Sequence, residues 1–159
     1  MNAMSRLEDI LGEGACFVGV GNTLRRDDGV GVRLAERLGA SSLPVFIVED
    51  VPENFVAEIG RGAWPNVVFM DAVAAGLEPG AVVFGELAEL GEPSGLSTHK
   101  LALSLCGRYL EAHGKRSFLL GIVPGDLEFG EGLTPEVGRA AAEVAGLILK
   151  TSAPPHGEV

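Results

Sequence analysis

Five apolar runs punctuate this chain, at 15–20, 45–49, 67–71, 81–86 and 117–123. Each is short, rich in Val, Ile, Leu and Phe, and bounded by Gly, Pro or polar residues, which is the pattern of buried strands. Between the runs the apolar period lengthens. Val30, Leu34, Ala35 and Leu38 share one helical face in 28–38, Phe55, Val56 and Ile59 share one in 52–61, and Leu101, Leu105 and Tyr109 share one in 98–112. Thr134-Pro135 predicts the start of a last helix over 135–150, since threonine caps helices and proline suits the first helical position. Strands alternating with helices predict an α/β fold. The expected architecture is a single-domain three-layer sandwich with a five-stranded, mostly parallel sheet and helices on both faces. One connection departs from the pattern. Nine residues, 72–80, separate the third strand from the fourth, whereas a parallel crossover needs about a dozen or more. Strand 81–86 is therefore expected to run antiparallel, at an edge.

Composition narrows the function. The 159 residues fit one domain, 1–150, large enough to bury roughly 68–70% of its unfolded surface. Residues 151–159 lack periodicity and read as a disordered tail, which removes His156 from the candidate ligands. A formal net charge of −10 argues against nucleic acid or an anionic membrane as partner, because both need a basic surface. No run approaches the ~20 apolar residues of a membrane span. Residues 1–10 carry acids and no long apolar run, so they do not read as a signal peptide, and a cytoplasmic protein is expected. Cys16 and Cys106 are too few and too far apart for a disulfide framework or a redox pair, and read as small buried hydrophobes.

The candidate chemistry sits where strands end. Asp27 and Asp28 close the stretch that follows the first strand, Asp71 ends the third, and His99 stands at a helix start after Ser97-Thr98. In open α/β sheets the carboxyl-end rim is where ligands bind. Each residue also has a plainer reading. An aspartate caps a helix, although one cap explains one aspartate and not two. Asp71 reads equally as a turn acid, and His99 as a partly exposed helix histidine. Arg25 and Arg26 are candidates to offset the paired charge. His113, before Gly114, is accounted for by a helix C-terminus. Gly19-Val-Gly-Asn22 lacks the third glycine of a dinucleotide site, since Leu24 stands there. Two carboxylates and an imidazole suit a borderline divalent ion such as zinc or nickel, with open coordination positions. No serine elbow, His-Glu-x-x-His or reactive Cys–His pattern is present.

Taken in order, these segments resemble the nickel–iron hydrogenase maturation endopeptidases over about residues 15–148. The resemblance is carried by Gly19-Val-Gly-Asn-Thr-Leu-Arg-Arg-Asp-Asp-Gly-Val-Gly31, Pro52-Glu-Asn54, Met70-Asp-Ala72 with Pro79-Gly80, Ser97-Thr-His99, and Gly121-Ile-Val-Pro124 through Gly132-Leu-Thr-Pro135. Pro-Glu-Asn and Thr-His are most similar to the branch serving formate-hydrogenlyase-type and archaeal hydrogenases. The resemblance implies an endopeptidase that removes a C-terminal peptide from a [NiFe] hydrogenase large-subunit precursor after nickel insertion. It implies Asp28, Asp71 and His99 as the metal-contacting and catalytic residues, with the nickel carried by the substrate. Zinc or another divalent ion would occupy the site in isolated protein. Asn22 and Asp27 belong to the same motif and would support that set. Asp50 matches a family acid often followed by Gly-Gly, whereas Val51-Pro52 follow here. Asp27 and Asp50 are the candidates for general base. Three alternatives stand beside this reading: a non-catalytic metal-binding or scaffolding homologue, a general peptidase, and a phospho-acceptor receiver domain. Receiver domains also pair acids after the first strand but carry a lysine after the fifth, where Pro124-Gly-Asp126 stands here.

Overall fold

The computed structural model describes residues 2–90 and 99–152, with the backbone alone for Leu90. The expected caps Ser97 and Thr98, and the stretch 153–159 with His156, lie outside the described residues. Five strands form one sheet: β1 (Ala15–Val20), β2 (Val45–Glu49), β3 (Asn66–Ala72), β4 (Val82–Glu86) and β5 (Arg116–Ile122). Their order is β2-β1-β3-β5-β4. All neighbours are parallel except β4 with β5, which pair antiparallel. The short β3–β4 connection thus does what its length dictates. Central β3 is buried at all seven positions, as expected of a strand covered on both faces.

Alternate strand residues face opposite layers. Phe17, Val68, Met70, Phe118 and Leu120 pack with α1 (Ala3–Leu11), α2 (Val30–Gly39) and α6 (Pro135–Thr151). Val18, Phe69 and Leu119 pack with α3 (Val56–Gly60), α4 (Leu87–Leu90) and α5 (Lys100–Ala112). The three-layer sandwich is therefore the observed architecture. Among the described residues no helix is long and apolar enough to cross a membrane.

Several details differ from the sequence reading. Helix α1 was not foreseen. The Asn2 side chain accepts from the Ser5 amide, and Leu7, Ile10 and Leu11 bury one face. The 28–38 helix opens as a separate 3-10 turn, Arg26–Gly29, before α2. The 52–61 pattern likewise splits into a 3-10 turn, Pro52–Asn54, and α3. Helix α5 is rotated from its expected face. It buries Leu103, Cys106 and Leu110, while Leu101 and Leu105 remain 75% and 53% exposed. The helix carries two leucine stripes, and docking on the sheet selects one of them.

The crevice lies where β1 meets β3. From β1 the chain crosses to β2 on one side, then returns past β1 to β3 on the other. Such a reversal leaves space outside the carboxyl ends of the strands. Helix α2 starts directly on those ends, because a Cβ at Gly31 would overlap the Met70 carbonyl and crowd that of Val20.

Candidate functional site

The loop after β1 turns at Gly21, whose φ of 128° a side chain rarely adopts. A Cβ there would overlap the Asp28 carbonyl and stand 3.6 Å from Asp71 Oδ1. Only glycine lets the Asp28 turn close over the end of β3, so Asp28 and Asp71 flank residue 21. Asp28 is buried, and its Oδ2 accepts the Asn22 amide at 2.9 Å. Asn22 Oδ1 in turn accepts the Leu24 amide at 2.9 Å. Neither aspartate caps α2, since Gly29 holds that position without a side-chain bond.

Asp27 does something else. It is fully buried and accepts four hydrogen bonds. Gly125 N at 2.8 Å, Asp126 N at 3.1 Å and Thr134 Oγ1 at 2.7 Å reach Oδ2, and Thr134 N at 2.8 Å reaches Oδ1. Its carboxylate clasps the β1–α2 loop to the β5–α6 loop. The clasp also explains Thr134, which stands at the N-cap of α6 but makes no side-chain cap bond. Its hydroxyl goes to Asp27. The expected arginine compensation does not occur either. Arg26 pairs with Asp126 at 3.6 Å, and backbone amides carry the stabilisation of Asp27. With every oxygen occupied and no exposure, Asp27 has no route to act as a general base.

The other acids gather around His99. Asp71, at the end of β3, is 1% exposed. Its Oδ1 accepts the Ala72 amide at 2.8 Å, and its Oδ2 lies 3.0 Å from His99 Nδ1. His99 immediately precedes α5, and its carbonyl accepts the Leu103 amide at 2.9 Å. The imidazole is 10% exposed, so His99 is the partly exposed histidine at a helix start that the sequence allows, and it is also engaged by two carboxylates. Its Nε2 lies 2.8 Å from Oδ1 of Asp50, which is 54% exposed. Asp50 follows Glu49, whose φ of 52° turns the chain at the end of β2. The hydrogen bond to Asp71 is the main cause that raises the His99 pKa from 6.5 to about 9. The charges of Asp71 and Asp50 and the Asp50 hydrogen bond add to it, and burial opposes it. His99 is thus an imidazolium held between two carboxylates, one sealed and one facing water.

The structure therefore brings Asp71, His99 and Asp50 into direct contact and sets Asp28 on the adjoining loop. Among the described residues no group of three or more His, Cys, Asp or Glu is arranged to hold a metal ion. Asp71 and His99 point at each other, so an ion meeting both must first part them. The Asp50 contact was within reach of position along the chain but not of spacing, since 49 residues separate it from His99.

Other reactive groups drop out. Burial pushes the Cys16 thiol up to about 12 and the Cys106 thiol to about 11. Both are buried, so neither is a nucleophile. His113 closes α5 as expected, its Nδ1 2.9 Å from the Tyr109 carbonyl. Lys115 donates to the carbonyls of Gly62 and Trp64, each at 2.6 Å, at the amino end of β5, opposite the rim. Receiver domains have the order 2-1-3-4-5. The antiparallel β4 outside β5 excludes that alternative.

Comparison with known proteins agrees. A family model described as hydrogenase maturation protease, HycI, matches residues 48–151. The hydrogenase 3 maturation protease of Escherichia coli (strain K12) is 28% identical over 128 residues, 79% of this chain and 82% of that protein. The crystal structure of a [NiFe] hydrogenase maturation protease HycI from Thermococcus kodakarensis KOD1 superposes with a TM-score of 0.77 at 28% identity. It covers 92% of this chain and 98% of its own. The [NiFe] hydrogenase maturation protease HybD from Thermococcus kodakarensis, at 21% identity and a TM-score of 0.74, shares the fold over 88% of this chain and 99% of its own. With the family model spanning 48–151, 82% of the Escherichia coli relative covered and 98% of the Thermococcus HycI structure matched, the chain belongs to the hydrogenase maturation protease family and is a peptidase.

Proposed function

We propose that this peptidase removes the C-terminal extension of a [NiFe] hydrogenase large-subunit precursor, and recognises the precursor by the nickel it carries. The observation that carries the proposal is the His99 imidazole wedged between Asp71 and Asp50 beside the Asp28 turn. Imidazole and carboxylate donors suit nickel. In the free cluster the imidazolium offsets one of the carboxylate charges and leaves the rim net negative, which suits an arriving cation. A docked precursor brings a divalent charge, which favours two carboxylates and a neutral imidazole over the imidazolium. The Asp71–His99 hydrogen bond is then exchanged for contacts from Asp71 and His99 Nδ1 to the substrate's nickel, with Asp28 completing the set. Asp50 keeps Nε2–H, the usual arrangement behind a metal-bound histidine.

In this reading the nickel is a template as well as a Lewis acid. It fixes the precursor so that the scissile bond lies against the rim, and it marks the precursor as loaded. Asp50, half exposed, is the carboxylate placed to take a proton from an attacking water. The test is cleavage of nickel-loaded precursor by purified protein, with intact mass of the product as the readout. Wild type is expected to release one C-terminal peptide, and Asp71→Asn and His99→Ala to release none. Equal cleavage by His99→Ala sinks the proposal.

A further inference from the structure

A second feature of the same rim has no role in that chemistry. Phe129 is 83% exposed, Leu24 53% and Leu127 38%. Single exposed hydrophobes are ordinary on protein surfaces. These three belong to two loops that pair with each other. Gly130 N donates to the Leu24 carbonyl at 2.9 Å, Arg26 N to the Gly130 carbonyl at 2.9 Å, and Asp27 N to the Asp126 carbonyl at 3.1 Å. The buried Asp27 carboxylate ties the same two loops from beneath. Gly130, at φ 147°, leaves room for the Arg26 guanidinium, 2.9 Å from where a Cβ would stand. The apolar residues therefore project from a braced ridge and not from a loose loop. Arg25 is exposed on the same ridge and takes part in no ion pair among the described residues. Glu128 and Glu131 are exposed on either side of Phe129, so the ridge presents three hydrophobes with a cation, Arg25, on one loop and acids on the other.

Resting on the peptidase reading above, we infer that this ridge is the docking surface for the precursor polypeptide. It takes a segment next to the scissile bond that is apolar where it meets Phe129 and Leu24 and carries a carboxylate for Arg25. Continuity with the site supports that occupant. Leu24 lies on the Asn22–Asp28 loop, so a chain entering the crevice over Asp28 runs along the ridge. Bracing matters because a surface already ordered loses little entropy on binding. Near the cluster in sequence, Val51 next to Asp50 and Leu101 two residues beyond His99 are also exposed, 40% and 75%.

The test uses the double variant Leu24→Ser/Phe129→Ser with Ile47→Ser as control, because Ile47 is exposed on edge strand β2 away from the ridge. Unfolding midpoints confirm that each remains folded. Two quantities are read with a nickel-loaded large-subunit precursor: the dissociation constant of the complex and the kinetics of cleavage. The double variant is expected to weaken binding and raise KM at least about tenfold, with kcat within about twofold of wild type, the behaviour of lost docking contacts. Arg25→Glu is expected to raise KM by a smaller factor, with the difference shrinking at high salt. Ile47→Ser changes neither quantity. Unchanged binding in the double variant overturns the ridge as docking surface, whatever happens to cleavage. Wild type that binds but does not cut overturns the peptidase reading instead, and binding alone then judges the ridge. Wild type that does not bind overturns both.

Discussion

Asp27 and Asp28 are neighbours in one turn, both buried, and they live in opposite electrostatic worlds. Asp27 has four donors on two oxygens. Among the described residues, the three acids of the rim share a histidine and two amides, and one of them, Asp50, faces water. A carboxylate saturated by backbone amides has nothing left to exchange, so its work is structural. A carboxylate whose main partner is a protonated imidazole can trade that partner for a metal ion or give up the contact as the proton leaves. The difference teaches that an acidic pair in a sequence divides by donor count once folded, and not by which residue stands first.

The division can be broken at either end. The largest effect is expected from Asp27→Ala, which strands three backbone amides and a hydroxyl. It should cost about 3–5 kcal/mol, read as a shift of the denaturant midpoint. A stability loss below about 1 kcal/mol would show that water replaces the carboxylate and that the clasp is not structural. Next, His99→Ala should lower precursor cleavage by about a hundredfold or more, since it removes an imidazole donor, while the circular dichroism spectrum stays unchanged. Asp28→Asn is milder. It keeps an oxygen for the Asn22 amide but loses charge, so stability should hold within about 1 kcal/mol and cleavage should fall about tenfold. Asp27→Asn should do the reverse, costing stability first, because an amide NH2 would face a donor.

The pH dependence sharpens the contrast further. His99 holds its proton more tightly in the folded state, near 9, than its ordinary 6.5. Its contribution is complete below about pH 6.5 and lost as pH rises toward about 9, the sign for a raised folded pKa. Wild-type stability should therefore decline across that interval, and His99→Gln should flatten the decline. The smallest effect is expected at Leu105, exposed on α5. Leu105→Ser should change stability by no more than about 0.5 kcal/mol, which a buried face at that position could not tolerate.

Much of this was legible in the sequence, because the signals were local. Strand ends fall within about a residue of the apolar runs, and a nine-residue connection settled the direction of β4. Buried residues of α2 were readable from period alone. Helix α5 was not, because Leu101/Leu105 and Leu103/Cys106/Leu110 offer two stripes and only the sheet chooses. Helix α1 carries its own signal, Asn2 before Leu7, Ile10 and Leu11, but the segment is short and its apolar residues too few to stand out from a polar terminus. Asp71 and His99 were legible as strand-end and helix-start residues. Their contact, and the bonds of Asp27 to residues about a hundred positions away, depend on which loops the fold brings together. No spacing rule contains that information.

The most direct test of the account compares one precursor in two states, loaded with nickel and free of it, under the same wild-type protein. The account expects a single C-terminal peptide to be released from the loaded form and none from the empty form. Equal cleavage of both would contradict it, since the rim around His99 would then be reading the polypeptide alone.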